Sequence, residues 1–565
     1  MTVTYSYGAL NRVTQAVTAD QTIHYHYDLG ANGKGRLSDL TDNSGQTIWS
    51  YDPRGRVASR QQSMGGVVKS LSMSYDSAGR AQSLTLPSGH VVQYGYTSGK
   101  LASLTLDGST TILSGVFYEP FGPTRGWTWG NGTLSVRVFD ADGKLAALDS
   151  AGMKSLSYDN AFRITSVVDS TDPSLSQSYG YDLLDRLTTA TGSALNQSFT
   201  FDANGNRLTQ GGSAVSTYSI SSANNRVNSV TGALTKTYSY DAVGNTLNDG
   251  ANTFTFDQQD RMIAATTAGT TTSYSINALG QRVKKSNLAN TTYFMYDEAG
   301  HLLGEYDATG ALIQELVWLG DIPVASIRVD ESGTSVGVFY IHTDHLNTPR
   351  KITNPADNSI VWRWDSDPFG NGAPNEDPDG NGKVVNFNLR FGGSYYDAET
   401  GLLHMGFRDY SPEIGGFIDS DPIGLWGGSF STYSYVNNNP ISKIDPLGLA
   451  EECPTCKQTY LDCLANCIRK YDPLSDTSKI GLTALGGTFP KGWLGLGRGL
   501  GGASPVTTVP SAVAYGTGGG AAGTAGAVAR GLGRVASPIW IGYGLYLFGM
   551  ESWCAASCVG NNCAH

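Results

Sequence analysis

The sequence predicts an all-β fold of stacked hairpins, and three observations carry that expectation. A phrase of the form aromatic-Asp-x-x-Gly-(Arg/Lys/Asn)-apolar recurs about every 20 to 24 residues over most of the chain. Around it, apolar and hydroxyl residues alternate, the period-2 signature of a strand with one buried face. Composition agrees: 71 Gly and 30 Tyr, with only 15% charged residues among 565, favour short strands and many turns over helices. A chain of this length exceeds one ordinary core and calls for several domains or a repeat array.

The repeat is plainest in SYDPRGR at Tyr51, SYDSAGR at Tyr75, FTFDANGNR at Phe201, YSYDAVGN at Tyr240 and MYDEAGH at Tyr296. Further aromatics fall at Tyr27, Phe139, Tyr158, Tyr181 and Phe256, with degenerate copies between them. In LSMSYD, Leu71, Met73 and Tyr75 face one way and Ser72 and Ser74 the other. Asp76 then opens a turn, Gly79 supplies a positive φ, and the chain returns through Leu84 and Leu86. Each unit is therefore a hairpin. A lone hairpin is marginal in water, so the units must stack and cover one another's edges. Tyr and Asp also suit sugar contacts, but recurrence with the alternation intact favours a stacking and turn-forming role.

These Tyr-Asp-x-x-Gly-Arg units resemble the YD repeats of the Rhs family, which includes toxin-complex C subunits and teneurins. The resemblance covers roughly residues 1–449, and it implies a long sheet spiralling into a hollow shell. From about Ile341 the text becomes denser: HTDHLNTPRKIT, VWRWDSDPFGN, YYDAETGLLHMGFRDYSPEIGGFIDSDPIGL and YSYVNNNPISKIDPLGL. That stretch is similar to the Rhs-associated core, with one departure, Gly416, where members commonly carry Arg. The expected organisation is a YD-repeat shell over 1–340, the core over 341–449 and a variable tail over 450–565.

The core writes Asp-Pro-x-Gly-Leu twice, at Asp421–Leu425 and Asp445–Leu449. In the family this region is similar to an intramolecular aspartic protease that cuts after the second copy. The resemblance implies Asp421 and Asp445 as the catalytic dyad, Arg408 as a supporting cation and Leu449–Ala450 as the bond cut. The chemistry stands on its own terms. Two close carboxylates share one proton, so one activates water while the other polarises the carbonyl. Pro fixes φ and Gly closes the turn, so each carboxylate is held rigidly. The bland alternative is that both phrases are only turns. The pairing, the upstream Arg408 and the composition break at Ala450 favour cleavage.

Other signals are weaker. Asp377, Asp379 and Asn381 alternate before Gly382 like the front of a calcium loop, but Asn388 stands where a bidentate Glu belongs. A surface loop is the expectation there. His342 and His345 have no further ligand at helpful spacing and read as structural. No cofactor is expected.

All seven cysteines follow Ala450. Cys463/Cys467 and Cys554/Cys558 are i, i+4 pairs, so two helices joined by disulfides are expected, with zinc at Cys453-x-x-Cys456 as the competitor. The tail reads as small, Gly/Cys-rich and mainly helical. The apolar run Pro538–Met550 is short for a bilayer span, which needs about 20 residues. A buried helix is the sober reading, and insertion as a small-residue hairpin the other. With a single His and few acids the tail offers little for hydrolysis, so membrane disruption fits a toxic tail better.

The net charge is −11, with 43 acidic against 30 basic residues before Ala450, which argues against nucleic acid as a partner. The start, MTVTYSYGALNRV, has no signal-peptide pattern and lies inside the repeat. The expectation is the C-terminal part of a larger Rhs-type polymorphic toxin, exported by a specialised system to the exterior or cell surface. Its expected partners are an N-terminal delivery module, a cognate immunity protein and a target-cell membrane. Two other readings stay open: a non-catalytic YD-repeat surface or adhesion protein with a disulfide-bonded tail, and a decayed fragment whose shell no longer closes.

Overall fold

The structure, a computed structural model, describes residues 2–120, 122–329 and 336–451. The tail cysteines, including Cys463, Cys467, Cys554 and Cys558, lie outside the described residues, as does the apolar run Pro538–Met550. Among the described residues the protein is all-β. Twenty-three strands from Thr4 to Thr237 form one sheet and thirteen from Ser239 to Arg363 a second. Each strand runs antiparallel to the next in sequence, so both sheets are meanders. Residue 341 falls inside the strand Val336–Thr343, and the second ladder continues to Arg363.

The repeat's residue types follow from its geometry. The strand Val67–Tyr75 alternates between exposed and sheltered positions, and Leu71, Leu84 and Leu86 are buried. The register slips by one residue just before the aromatic, between Ser74 and Tyr75, and likewise before Tyr51, Phe201 and Tyr296. Such a bulge bends the strand end and re-aims its last side chain. The Tyr75 hydroxyl then donates to the Val57 carbonyl of the preceding hairpin (2.8 Å), and the Arg56 guanidinium lies 4.0 Å over the Tyr75 ring. Asp76 accepts the Arg80 backbone N–H on one oxygen and the Arg80 side chain on the other. Gly79 closes the turn at φ +89°.

One repeat therefore locks the next through an Arg-on-Tyr stack and a Tyr-to-carbonyl bond. Tyr96 and Tyr118, too degenerate to stand out in the sequence, make the same bond to Ala81 and Leu101. Phe162, Asp185 and Asp260 occupy the glycine position with φ near +60°, so the turn tolerates a side chain where its neighbours hold it.

The two sheets share an apolar cluster in which Leu104, Ile112, Trp127 and Trp129 meet Val283, Val324, Ile327 and Tyr340. Trp129 stacks on Tyr340 at 4.7 Å. After Arg363 the chain leaves the meander and lays a small four-stranded sheet, Tyr395–Asp397, Leu402–Met405, Arg408–Ser411 and Gly416–Phe417. Its core joins Phe391, Tyr410, Phe417 and Tyr435 to Phe294, Leu316, Ile341 and Trp362 of the second sheet. Polar ties fix it further: buried Arg282 pairs with Asp397 and with Asp409 (3.0 Å), and the Tyr433 hydroxyl donates to Gly244 (2.8 Å). The small sheet is thereby held in one orientation, with Arg408 at the start of its third strand.

Candidate functional site

Both Asp-Pro-x-Gly phrases fold as turns of one kind. The Gly424 N–H donates to the Asp421 carbonyl (2.9 Å) and the Gly448 N–H to the Asp445 carbonyl (3.3 Å), with both glycines at φ above +60°. Gly448 has a second reason to be glycine. A Cβ there would stand 2.5 Å from the Met405 carbonyl and 3.0 Å from Arg408. The second phrase thus lies flat against the hairpin that carries Arg408, and the Phe407 N–H donates to Leu447 (2.9 Å).

Arg408 joins the two turns. Its Nη2 lies 3.1 Å from Asp421 Oδ2 and 3.1 Å from Asp445 Oδ2, and all three side chains are at most 5% exposed. Its other nitrogens donate to the Gly448 carbonyl and to the Thr432 carbonyl (3.0 Å), and its guanidinium stacks over Phe417 at 3.5 Å. A buried guanidinium with every arm occupied is a rigid spacer between two carboxylates.

The peptide bond after Leu449 lies against Asp445, and its residues line one small cavity with Asp421. Asp445 Oδ1 accepts the N–H of Leu449 (2.9 Å) and of Ala450 (3.1 Å). On the other side, Gly427 leaves room for the Leu449 carbonyl and Asp421. A Cβ on Gly427 would fall 2.8 Å from Leu449 O and 2.5 Å from Asp421 Oδ2. These residues surround a cavity of about 10 Å³ lined also by Ser429, Ser431, Ser434 and Asn437, the size of one water molecule.

Burial pushes the Asp421 carboxyl up to about 6, with Arg408 and the Ile423 N–H opposing and the charge of Asp445 adding to the rise. Burial likewise raises Asp445, against Arg408 and its two backbone donors. A third acid was missed in the sequence although FIDSDP writes it. Asp419 is fully buried, accepts the Asp409 N–H (3.1 Å), and is pushed well above the usual carboxylate range by burial and by Asp409. It braces the strand of Arg408 from behind.

The remaining sequence candidates lie apart. Asp377 accepts the Gly382 N–H (3.1 Å) and Asp379 accepts the Asn381 side-chain amide (2.9 Å), the bonds of a turn. Among the described residues no cluster of three His, Cys, Asp or Glu stands in metal-binding geometry. His342 is buried against Trp129 and bonded to Thr353 (2.9 Å), and His345 to the Ile441 carbonyl (2.7 Å). Gly416 packs under the Tyr433 carbonyl, 2.9 Å from where a Cβ would stand.

The teneurin YD-shell family matches residues 149–441, more than half of the chain. The chain belongs to the YD-shell family. It is an Rhs/YD-repeat protein, and its relatives include named toxins. Over 234 residues it is 30% identical to double-stranded DNA deaminase toxin A of Burkholderia cenocepacia, covering 35% of this chain and 15% of that protein. Over 112 residues it is 35% identical to toxin protein Tse5 of Pseudomonas aeruginosa, covering 20% and 8%. The YD-shell chain thus spans a small part of these relatives' length. The solved TcdB2-TccC3 structure superposes with a TM-score of 0.62 over 79% of this chain and 28% of that chain, at 17% identity, a likeness of fold.

Proposed function

We propose that this YD-shell protein is a toxin-type chain that cuts itself once, at Leu449–Ala450, and so frees the segment beginning at Ala450. One observation carries the reading: the peptide bond after Leu449 has its nitrogen on Asp445 and its carbonyl oxygen facing the same space over Gly427 as Asp421, with Arg408 tying both carboxylates together. Asp421, neutral, donates its proton toward the Leu449 carbonyl oxygen and polarises it. Asp445, whose charge is favoured by two N–H donors and Arg408, takes a proton from water as the water oxygen bonds to the Leu449 carbonyl carbon. The C–N bond then breaks, and Asp445 passes that proton to the Ala450 nitrogen 3.1 Å away. Leu449 ends as a carboxylic acid and Ala450 as an amine. Because bond and acids belong to one folded chain, proximity supplies much of the rate.

Named toxins among the relatives support the companion reading. Residues 450–565 would be a variable effector, membrane-active by its composition, reached through a delivery module and restrained by an immunity protein, in an exported or surface-bound chain. Intact mass of the full chain beside Asp421→Asn and Asp445→Asn tests the cut. The expected result is a wild-type pair of fragments meeting at Leu449–Ala450 and two uncut variants. A wild-type chain found whole would refute self-cleavage and leave a structural YD-repeat protein. Expression of residues 450–565 alone, directed to cytoplasm or periplasm, tests the effector, and unimpaired growth in both would refute it.

A further inference from the structure

Two residues past the bond, Glu451 is held at both carboxylate oxygens. Lys443 Nζ reaches Oε1 at 3.0 Å, and Asn437 Nδ2 donates to Oε2 at 2.9 Å. The two donors come from different stretches, and the loop that carries Asn437 is held independently of Glu451. Lys443 stands two residues before Asp445, on the stretch that leads into the second Asp-Pro turn. Asn437 lies at φ +50° between Val436 at +42° and Asn438 at +59°. Three successive residues with side chains in the left-handed region, one of them β-branched, need outside support. They have it: Asn438 donates through its side chain to the Gly205 carbonyl of the repeat sheet (2.8 Å), and its backbone N–H donates to Tyr435, which is fully buried.

Asn437 also lines the cavity shared by Arg408, Asp421, Asp445, Leu449 and Ala450. The Ala450–Glu451 segment is therefore fixed at two points, the Ala450 nitrogen on Asp445 and the Glu451 carboxylate on Lys443 and Asn437. A slip of one residue would present a different amide to Asp445; in one direction it would carry Ala450 onto the two donors and lose the anchor, and in the other it would bring Glu452 to them in place of Glu451.

We propose that Lys443 and Asn437 form a recognition subsite for an acidic residue two places after the cut, and that Glu451, seated in it, selects the register in which Leu449–Ala450 meets the two aspartates over the one that would place Ala450 there. This rests on the self-cleavage reading above. Glu451, Lys443 and Asn437 are positioning residues: none touches the reacting atoms.

The experiment is pulse-labelled synthesis of the full chain, followed by intact mass over time, for wild type, Glu451→Ala, Lys443→Glu, Glu451→Lys and the double variant K443E/E451K. The single variants are expected to be cut about 10- to 100-fold more slowly, the scale of a reacting group displaced by about 1 Å, or at a shifted bond. The double variant is expected to recover at least tenfold over either single charge reversal, which a merely misfolded chain would not do. Cleavage of Glu451→Ala at the wild-type bond and rate, or no recovery in the double variant, would overturn the subsite. A wild-type chain that is never cut would instead sink the self-cleavage reading, so the two failures are distinct.

Discussion

The proposed self-cleavage would take its pH dependence from two buried carboxyls, and its alkaline limb from Asp421. Asp421 must carry a proton to polarise the Leu449 carbonyl, and burial pushes that carboxyl from 3.8 up to about 6. The difference corresponds to about 3 kcal/mol in favour of the neutral form. Below pH 6 most chains hold the proton. At pH 7 about one in ten does, and at pH 8 about one in a hundred, so the rate should fall roughly tenfold for each unit above 6. On the acid side Asp445 must be ionised, and burial raises it too, so the rate should fall again as pH drops through its titration. The profile is a bell with its alkaline limb near 6. Refolding the chain from denaturant into buffers from pH 4 to 9, with fragments quantified by intact mass, measures it. Acid hydrolysis is separable, because it would cut Asp445–Pro446 rather than Leu449–Ala450. A rate that stays level or rises from pH 6 to 8 would refute the assignment of Asp421 as the proton donor.

Four further outcomes are expected. Gly427→Ala puts a methyl group 2.5 Å from Asp421 Oδ2 and 2.8 Å from Leu449 O, so that chain should fold and remain uncut; normal cleavage would show that the carbonyl is not held there. Arg408→Leu leaves two buried carboxylates without their cation, which should abolish cleavage and destabilise the core by about 3 to 5 kcal/mol in denaturant titrations. Burial disfavours a charge on His301, yet bonds to Asp297 (2.9 Å) and Asp321 (3.1 Å) outweigh it and raise the group to about 10. Its stabilisation is thus full below about 6.5 and lost as pH rises through 10, so thermal unfolding of His301→Leu should show a larger deficit at pH 6 than at pH 9. Tyr75→Phe removes the bond to Val57 and should cost about 1 kcal/mol, seen as faster amide exchange in the strand Val57–Met64.

Much of this was legible in the sequence because hairpin repeats are local. Alternation about Tyr75, the Asp76 turn and Gly79 all act within about ten residues, and each leaves its mark on residue type. The doubled Asp-Pro-x-Gly-Leu phrase named the two aspartates for the same reason, since each copy is a self-contained turn. Tyr96 and Tyr118 were obscured because they keep the hydroxyl-to-carbonyl bond and the cation over the ring, from Arg80 and Lys100, without the Asp turn that marks the other copies.

Pairing across distance was a different matter. That a single Arg408 nitrogen would hold both Asp421 and Asp445, that Gly427 would leave space beside the Leu449 carbonyl, and that Glu451 would meet Lys443 and Asn437 depend on loops brought together by a buried core. Asp419 shows the same limit. It reads as one more acid in FIDSDP, and only its enclosure beside Asp409 raises it far above the range of an exposed carboxylate. The sequence by itself determined the all-β repeat, its turns and the residues able to do acid–base chemistry, because strand alternation and turn closure are short-range steric facts. The tertiary structure alone decided which carboxylates share a cation, which are desolvated and which backbone N–H groups they hold, because burial and electrostatic proximity come into being only when distant segments pack.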